Sequence, residues 1–94
     1  MRRAAKKDRN HPEIVKALRG AGCKVLDLGA VGNGCPDLLV NRGPETRFLE
    51  VKDGKKPPSA RKLTPDQVEF HREWEGRVFV VTSVDEALAT MGVA

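Results

Sequence analysis

Three side chains that could act together on a phosphate lie in two neighbouring segments of the sequence. Asp37 follows a glycine-rich stretch, and Glu50 and Lys52 are two positions apart in a later β-like run. Two carboxylates at one place raise each other's pKa unless a hard cation lies between them, and Mg²⁺ prefers such oxygen ligands. A lysine beside the cation can orient an attacking water and stabilise charge on the phosphate. The spacing therefore indicates a phosphodiesterase, whereas a surface Glu–Lys pair is the commoner interpretation of the bare pattern.

Strands must bring these residues together. Alternating or unbroken apolar runs predict strands over Lys24–Leu28, Asp37–Val40, Arg47–Lys52 and Val78–Thr82. The short linker 41–46, which contains Gly-Pro, predicts an antiparallel hairpin that brings Asp37 near Glu50. Glu50 and Lys52 then share one face of a strand that we expect in the middle of the sheet. The unbroken run 78–82 predicts a buried strand.

Helices are predicted from three capping patterns. Asn10 with Glu13 three positions later opens a helix that stops at 20–22, Thr64 with Gln67 opens one that runs to about 75, and Ser83 opens a last one that stops at Gly92. The order αβββαβα predicts a small α/β fold around a mixed sheet. We expect one domain over 10–94, preceded by a basic tail over 1–9.

Charge and composition restrict the partners. The 94 residues carry a net charge of +4, and the segments 1–10 and 52–62 each hold five basic residues and one acidic residue on an otherwise acidic chain. This layout favours a polyanion partner, and a solvated tail and loop is the alternative. Aromatic residues make up 4% of the chain, which favours backbone and shape recognition over base stacking.

Other features indicate an intracellular, cytoplasmic protein. No apolar run approaches the ~18 residues of a membrane span, and the charged start lacks the apolar stretch of a secretory signal. Cys23 and Cys35 have no metal-site or disulfide spacing and are predicted to be reduced thiols. We interpret Cys35 as a small residue in a turn.

The segments 34–40 (GCPDLLV), 48–52 (FLEVK) and 63–67 (LTPDQ), in this order, resemble the PD-(D/E)XK nuclease superfamily. More narrowly, the chain is similar to the stand-alone VRR-NUC (virus-type replication-repair nuclease) domain, from Asn10 to about Gly92. The resemblance implies a restriction-endonuclease-like core and a Mg²⁺- or Mn²⁺-dependent endonuclease acting on DNA. Small phage and prophage members are similar to Holliday-junction resolvases and act as homodimers, so branched DNA and a second copy are the implied partners, in DNA recombination, repair or replication.

The resemblance also implies roles for particular residues. Asp37 and Glu50 would ligate the metal together with the Val51 backbone carbonyl, and Lys52 would be the catalytic lysine. Gln67 would buttress the site, and Glu13 would be a further acidic ligand. Each of these last two is equally the third helical residue of a capping box. For Gln67 the site role is favoured, because its helical face is apolar and points inward.

The basic residues complete the predicted site. DNA-binding roles are expected for the two basic segments, at Lys55, Lys56, Arg61, Lys62, Arg2, Arg3, Lys6, Lys7 and Arg9. His71 is interpreted as a core histidine and His11 as an exposed residue, with a site contact and a phosphate contact as their respective alternatives. Two other functions stay open: a non-catalytic nucleic-acid-binding module of a larger complex, which the complete Asp37, Glu50 and Lys52 set disfavours, and a nuclease whose preference a partner supplies.

Overall fold

The computed structural model of the protein describes residues 7–93. Its elements follow the predicted order, and a short 3-10 helix over Pro58–Arg61 is added in the basic loop. The helices are α1 (His11–Gly20), α2 (Pro65–Glu73) and α3 (Val84–Thr90), and the strands are β1 (Lys24–Asp27), β2 (Leu38–Arg42), β3 (Glu45–Val51) and β4 (Val78–Val81). None of the helices in this part of the chain is long and apolar enough to cross a membrane.

The sheet is mixed, and its strands lie in the order β1-β2-β3-β4. The β2–β3 hairpin is antiparallel with Leu38 opposite Leu49, whereas β3 and β4 are parallel with Val51 opposite Val81. The parallel pairing follows from the crossover through α2, which returns the chain to the same end of the sheet. β3 therefore lies between two strands, as predicted for the strand that carries Glu50 and Lys52.

The hydrophobic core lies on one face of this sheet. Alternate residues of the central strands, among them Leu38, Leu49 and Val51, pack against Ile14 of α1 and Ala87 of α3. The other face receives α2 through an aromatic cluster, which is made of Phe48, Phe70 and Trp74 with ring centroids 5.2–5.5 Å apart. The α/β architecture predicted from the sequence is confirmed.

Three local predictions were wrong. β4 is an edge strand and only partly buried, with Val80 45% exposed, because α2 does not cover the whole of that face. Asn10 does not cap α1; its backbone is helical, and its amide Nδ2 donates instead to the carbonyls of Lys52 and Thr82. His11 is buried rather than exposed, and its Nε2 lies 3.1 Å from an Asp27 carboxylate oxygen.

Candidate active site

The candidate site is a depression of about 250 Å³ at the open end of the β2–β3 hairpin, where β2 begins and β3 ends. Asp37, immediately before β2, Glu50 in β3 and Lys52, just beyond β3, border it, together with Gln67 of α2. The Val51 N–H donates to Asp37 Oδ2 at 2.7 Å, which fixes this carboxylate beside the next strand. The hairpin and the second capping pattern, both predicted from the sequence, thus bring the four side chains to one place.

Gln67 links the lysine to the glutamate. Its Oε1 accepts from Lys52 Nζ at 3.0 Å, and its Nε2 donates to Glu50 Oε2 at 3.2 Å. The same Oε1 accepts from the Thr64 N–H, and the Thr64 hydroxyl accepts from the Gln67 N–H, so the capping box is complete. The two interpretations offered for Gln67 are compatible, because one side chain makes both sets of contacts.

Glu50 is a buried acid whose two carboxylate oxygens differ in their hydrogen bonding. It is 2% exposed, and its Oε1 has no hydrogen-bond partner among residues 7–93. Burial first, and then the adjacent Asp37 carboxylate, raise the pKa of Glu50 well above its usual range, against the opposing charge of Lys52. A buried acceptor without a donor is costly, so the Glu50 carboxylate fits a site that receives a positive group.

A divalent cation fits this donor set. Two carboxylates and the Val51 carbonyl are hard oxygen donors, and Mg²⁺ commonly uses one or two carboxylates and keeps its remaining waters. Among the described residues, no group of three or more Asp, Glu, His or Cys side chains is arranged around one point. The fit therefore rests on the Asp37–Glu50 pair with the unpartnered Glu50 Oε1, as expected for Mg²⁺ rather than for an all-protein cage.

Glu13 does not border this depression. It is exposed on α1 and lines a neighbouring depression with Asn10, Asp53 and Lys55. Asp8 lines the candidate site instead. Burial and Asp37 raise the pKa of Glu50 most, Lys52 opposes them, and the negative charge of Asp8 raises it a little further. The sequence pattern missed Asp8 because it lies before the helix, in a segment whose basic neighbours dominated its interpretation.

The glycine-rich loop before Asp37 packs tightly against the start of α2. Gly34 has a φ of +79°, and a Cβ built there would lie 2.2 Å from the Asp66 carbonyl oxygen. A side chain at this position would push α2, and with it Gln67, away from the site. Cys35, in the same loop, borders the site as a free thiol; burial first, and then Glu50 and Asp37, raise its pKa, so it is protonated at neutral pH.

Three of the six predicted DNA-binding residues in the described part of the chain are engaged by acidic groups. Lys56 lies 3.6 Å from Asp8, Arg9 lies 3.2 Å from the buried Asp53, and Lys7 lies 2.9 Å from Asp27. The remaining ones are Lys55 and Lys62, which are exposed, and Arg61, which is half-buried. Arg2, Arg3 and Lys6 lie outside the described residues.

Two further residues, Asn10 and His71, lie near Lys52. Asn10 joins the start of α1 to the ends of β3 and β4 through its two carbonyl contacts, one of them at Lys52 itself. His71 lies one turn after Gln67 and is half-buried; burial and then the Lys52 charge lower its pKa. Its Nε2 has no partner in the described part of the chain.

The fold and this cluster define an α/β domain of nuclease type. A solved structure described as a VRR_NUC domain matches the chain with a TM-score of 0.63 and 29% sequence identity, over 95% of this chain and 97% of that one. No family model and no curated protein matches the sequence. The match over almost the whole length of both chains confirms the VRR-NUC resemblance, and the protein has the VRR-NUC fold.

Proposed function

We propose that the protein is a divalent-metal-dependent endodeoxyribonuclease that hydrolyses phosphodiester bonds at the Asp37–Glu50 depression. The observation that carries the proposal is the buried Glu50 carboxylate with an unpartnered oxygen, beside Asp37 and linked through Gln67 to Lys52. A structural ion pair would satisfy both carboxylate oxygens, whereas a cation-binding carboxylate keeps an oxygen for the metal.

Asp37, Glu50 and the Val51 carbonyl would hold the cation, and Asp8 is a better candidate than Glu13 for a further acidic contact because it borders the same depression. When bound, Mg²⁺ or Mn²⁺ supplies charge that neutralises the phosphate and acidifies an attacking water.

Lys52 has the central role among the chain's own groups. Its ammonium group is fixed by Gln67 Oε1 and has two N–H donors left for a water and a phosphate oxygen. In this position it orients the nucleophile and stabilises the negative charge that develops on the phosphate. Gln67 is a positioning residue, because it holds both Lys52 and Glu50 without reaching the substrate.

Branched DNA is the proposed substrate, and a homodimer is the proposed assembly. The basic residues are concentrated in the N-terminal segment and in the loop that follows Lys52, and base-stacking aromatic residues are few, which supports recognition of backbone and shape. Paired nicks across a four-way junction would require two sites, and each chain holds one such cluster in its described part.

The test is cleavage of an end-labelled four-way junction beside linear duplex, in Mg²⁺, in Mn²⁺ and in EDTA. We expect cleavage that requires metal, prefers the junction and is lost by at least about a hundredfold in Lys52→Ala, which should still bind DNA. Equal cutting of both DNAs would remove the branched-DNA proposal. Binding without cleavage in either metal would instead indicate a non-catalytic binding module or a nuclease that needs a partner.

The same preparation separates Asp8 from Glu13. Stabilisation of the fold by Mn²⁺, followed as the rise in unfolding temperature with metal concentration, should weaken in Asp8→Asn and persist in Glu13→Gln. Both substitutions remove one carboxylate, so a loss in Glu13→Gln alone would restore the assignment predicted from the sequence.

A further inference from the structure

A second groove lies beside the candidate site, between α1 and the end of β1. It has a volume of about 420 Å³, and its polar lining consists of Lys7, His11, Lys16, Arg19 and Asp27. Three cationic side chains face a single carboxylate there, so the groove is positively charged. Lys16 and Arg19 belong to neither of the basic segments that the sequence singled out.

The single carboxylate of the groove, that of Asp27, already has hydrogen-bond partners. Asp27 accepts from Lys7 Nζ at 2.9 Å, lies 3.1 Å from His11 Nε2, and accepts from the Gly29 N–H. Although burial alone would raise it, these hydrogen bonds lower the pKa of Asp27 to about 2. Asp27 therefore holds Lys7 at one end of the groove and does not neutralise the cations farther along.

Lys16 and Arg19 are free to meet an anion. Both are exposed, and neither forms an ion pair with any residue in 7–93. Arg19 is anchored by one hydrogen bond, from Nη2 to the Val25 carbonyl at 3.1 Å, which orients its other N–H groups. Lys7, Arg9 and Lys56 each have an acidic partner, whereas Lys16 and Arg19 are cations that residues 7–93 do not pair.

The groove is adjacent to the candidate site. Lys7 lines the groove and Asp8, the next residue, lines the site; Asp27 lines the groove and is hydrogen-bonded to Gly29, which lines the site. Lys7 lies beside the start of α1, where it shares the Asp27 carboxylate with His11, and Arg19 lies near the end of α1, ~12 Å farther along the helix axis at 1.5 Å per residue. One strand of a duplex presents about three or four phosphates over such a length, so three separate cations suit a chain of phosphates better than one small anion.

We infer that the α1 groove, through Lys16 and Arg19, binds the phosphate backbone of the DNA duplex that leads into the active site. This inference rests on the proposed function and extends it, because it assigns the path of the substrate on the protein. Lys7 would contribute from the end nearest the site, where Asp27 and His11 keep it in place.

The experiment measures binding of a fluorescent duplex of about 20 base pairs by anisotropy in EDTA, between 50 and 200 mM salt. The double variant Lys16→Gln/Arg19→Gln should bind about tenfold more weakly at low salt. Its plot of log affinity against log salt should be shallower by about 1.8, since each phosphate contact contributes about 0.9. Lys16→Gln alone keeps the Arg19–Val25 hydrogen bond and should lose about half of that slope.

The matched control is Lys24→Gln/Arg77→Gln, which removes the same charge from exposed positions outside the groove. It should keep both affinity and slope within about twofold of the wild type. Equal weakening in both double variants would mean that only net charge matters and would overturn the inference. Wild-type affinity and slope in the Lys16→Gln/Arg19→Gln variant would also overturn the inference. If Lys55→Gln/Lys56→Gln nevertheless lost affinity, the proposed function would survive. Failure of the wild-type protein to bind DNA would overturn both.

Discussion

The two faces of the central sheet bury side chains of opposite character, apolar on one face and acidic on the other. On one face, Leu38, Leu49 and Val51 are fully buried against α1 and α3. On the other, the buried side chain at the position between Leu49 and Val51 is Glu50, and its contacts are polar. Removal of apolar surface from water stabilises the first face, whereas an acid buried with an unpartnered oxygen destabilises the second.

Coverage also differs between the faces. Among residues 7–93, the second face receives only α2, and Leu26, Trp74 and Val80 remain 45–58% exposed around it. The proposed DNA substrate requires a site that helices do not seal on all sides. Successive residues of β3 therefore serve folding and the candidate site in turn, because their side chains alternate between the faces.

The strongest test of this division is Glu50→Gln, which should lower cleavage by at least about a hundredfold and yet raise the stability of the metal-free protein. The folded-state pKa of Glu50 is raised, so the folded chain retains a proton that the unfolded chain loses above the ordinary carboxyl range. Wild-type stability should therefore fall as pH rises through neutrality, and the variant should lack this loss. Thermal unfolding in EDTA across pH 5 to about 9 measures both.

Glu45→Gln is its control, because Glu45 is an exposed acid on the same strand. It should change neither cleavage nor the pH dependence. Lower stability in Glu50→Gln at every pH would mean that the carboxylate stabilises the fold and would break the proposed division.

The next largest effect is expected from the neighbouring core residue. Leu49→Ala should reduce the free energy of unfolding by about 2–5 kcal/mol, because Leu49 is completely buried between β2 and β4. The fraction that remains folded should cleave DNA at the wild-type rate. Chemical denaturation and single-turnover cleavage at low temperature give the two quantities.

Leu26→Ala makes the same truncation at a side chain that is 58% exposed. It should cost no more than about 0.5 kcal/mol. Similar losses for both leucines would contradict the placement of the core on one face.

The smallest effects should separate the two tasks of Gln67. Gln67→Ala and Thr64→Ala each break the capping box and should each destabilise the protein by about 1 kcal/mol. Only Gln67→Ala also releases Lys52 and Glu50, so it alone should slow cleavage, by about 10–100-fold. Parallel unfolding and cleavage assays of the two variants are sufficient, and equal cleavage rates would show that Gln67 is only a cap.

Local chemistry determined most of the architecture. The capping pair Thr64 and Gln67, the alternation in β3 and the Gly-Pro linker between β2 and β3 each act over a few residues, and each predicted its element. The hairpin then brings Asp37 to Glu50 with little freedom left, since register and pleat dictate which side chains meet. For this reason the meeting of Asp37, Glu50, Lys52 and Gln67 could be expected from the sequence.

Tertiary structure alone decided the residues around that cluster. Asn10 has the sequence signature of a cap, but its amide contacts lie 42 and 72 positions away, where no periodicity can reveal them. His11 is buried with its Nε2 against the Asp27 carboxylate at the end of β1. Asp8 borders the site and Glu13 does not, because of the path by which the chain enters α1. Propensity and capping are properties of neighbours in sequence, whereas these positions depend on packing between distant segments.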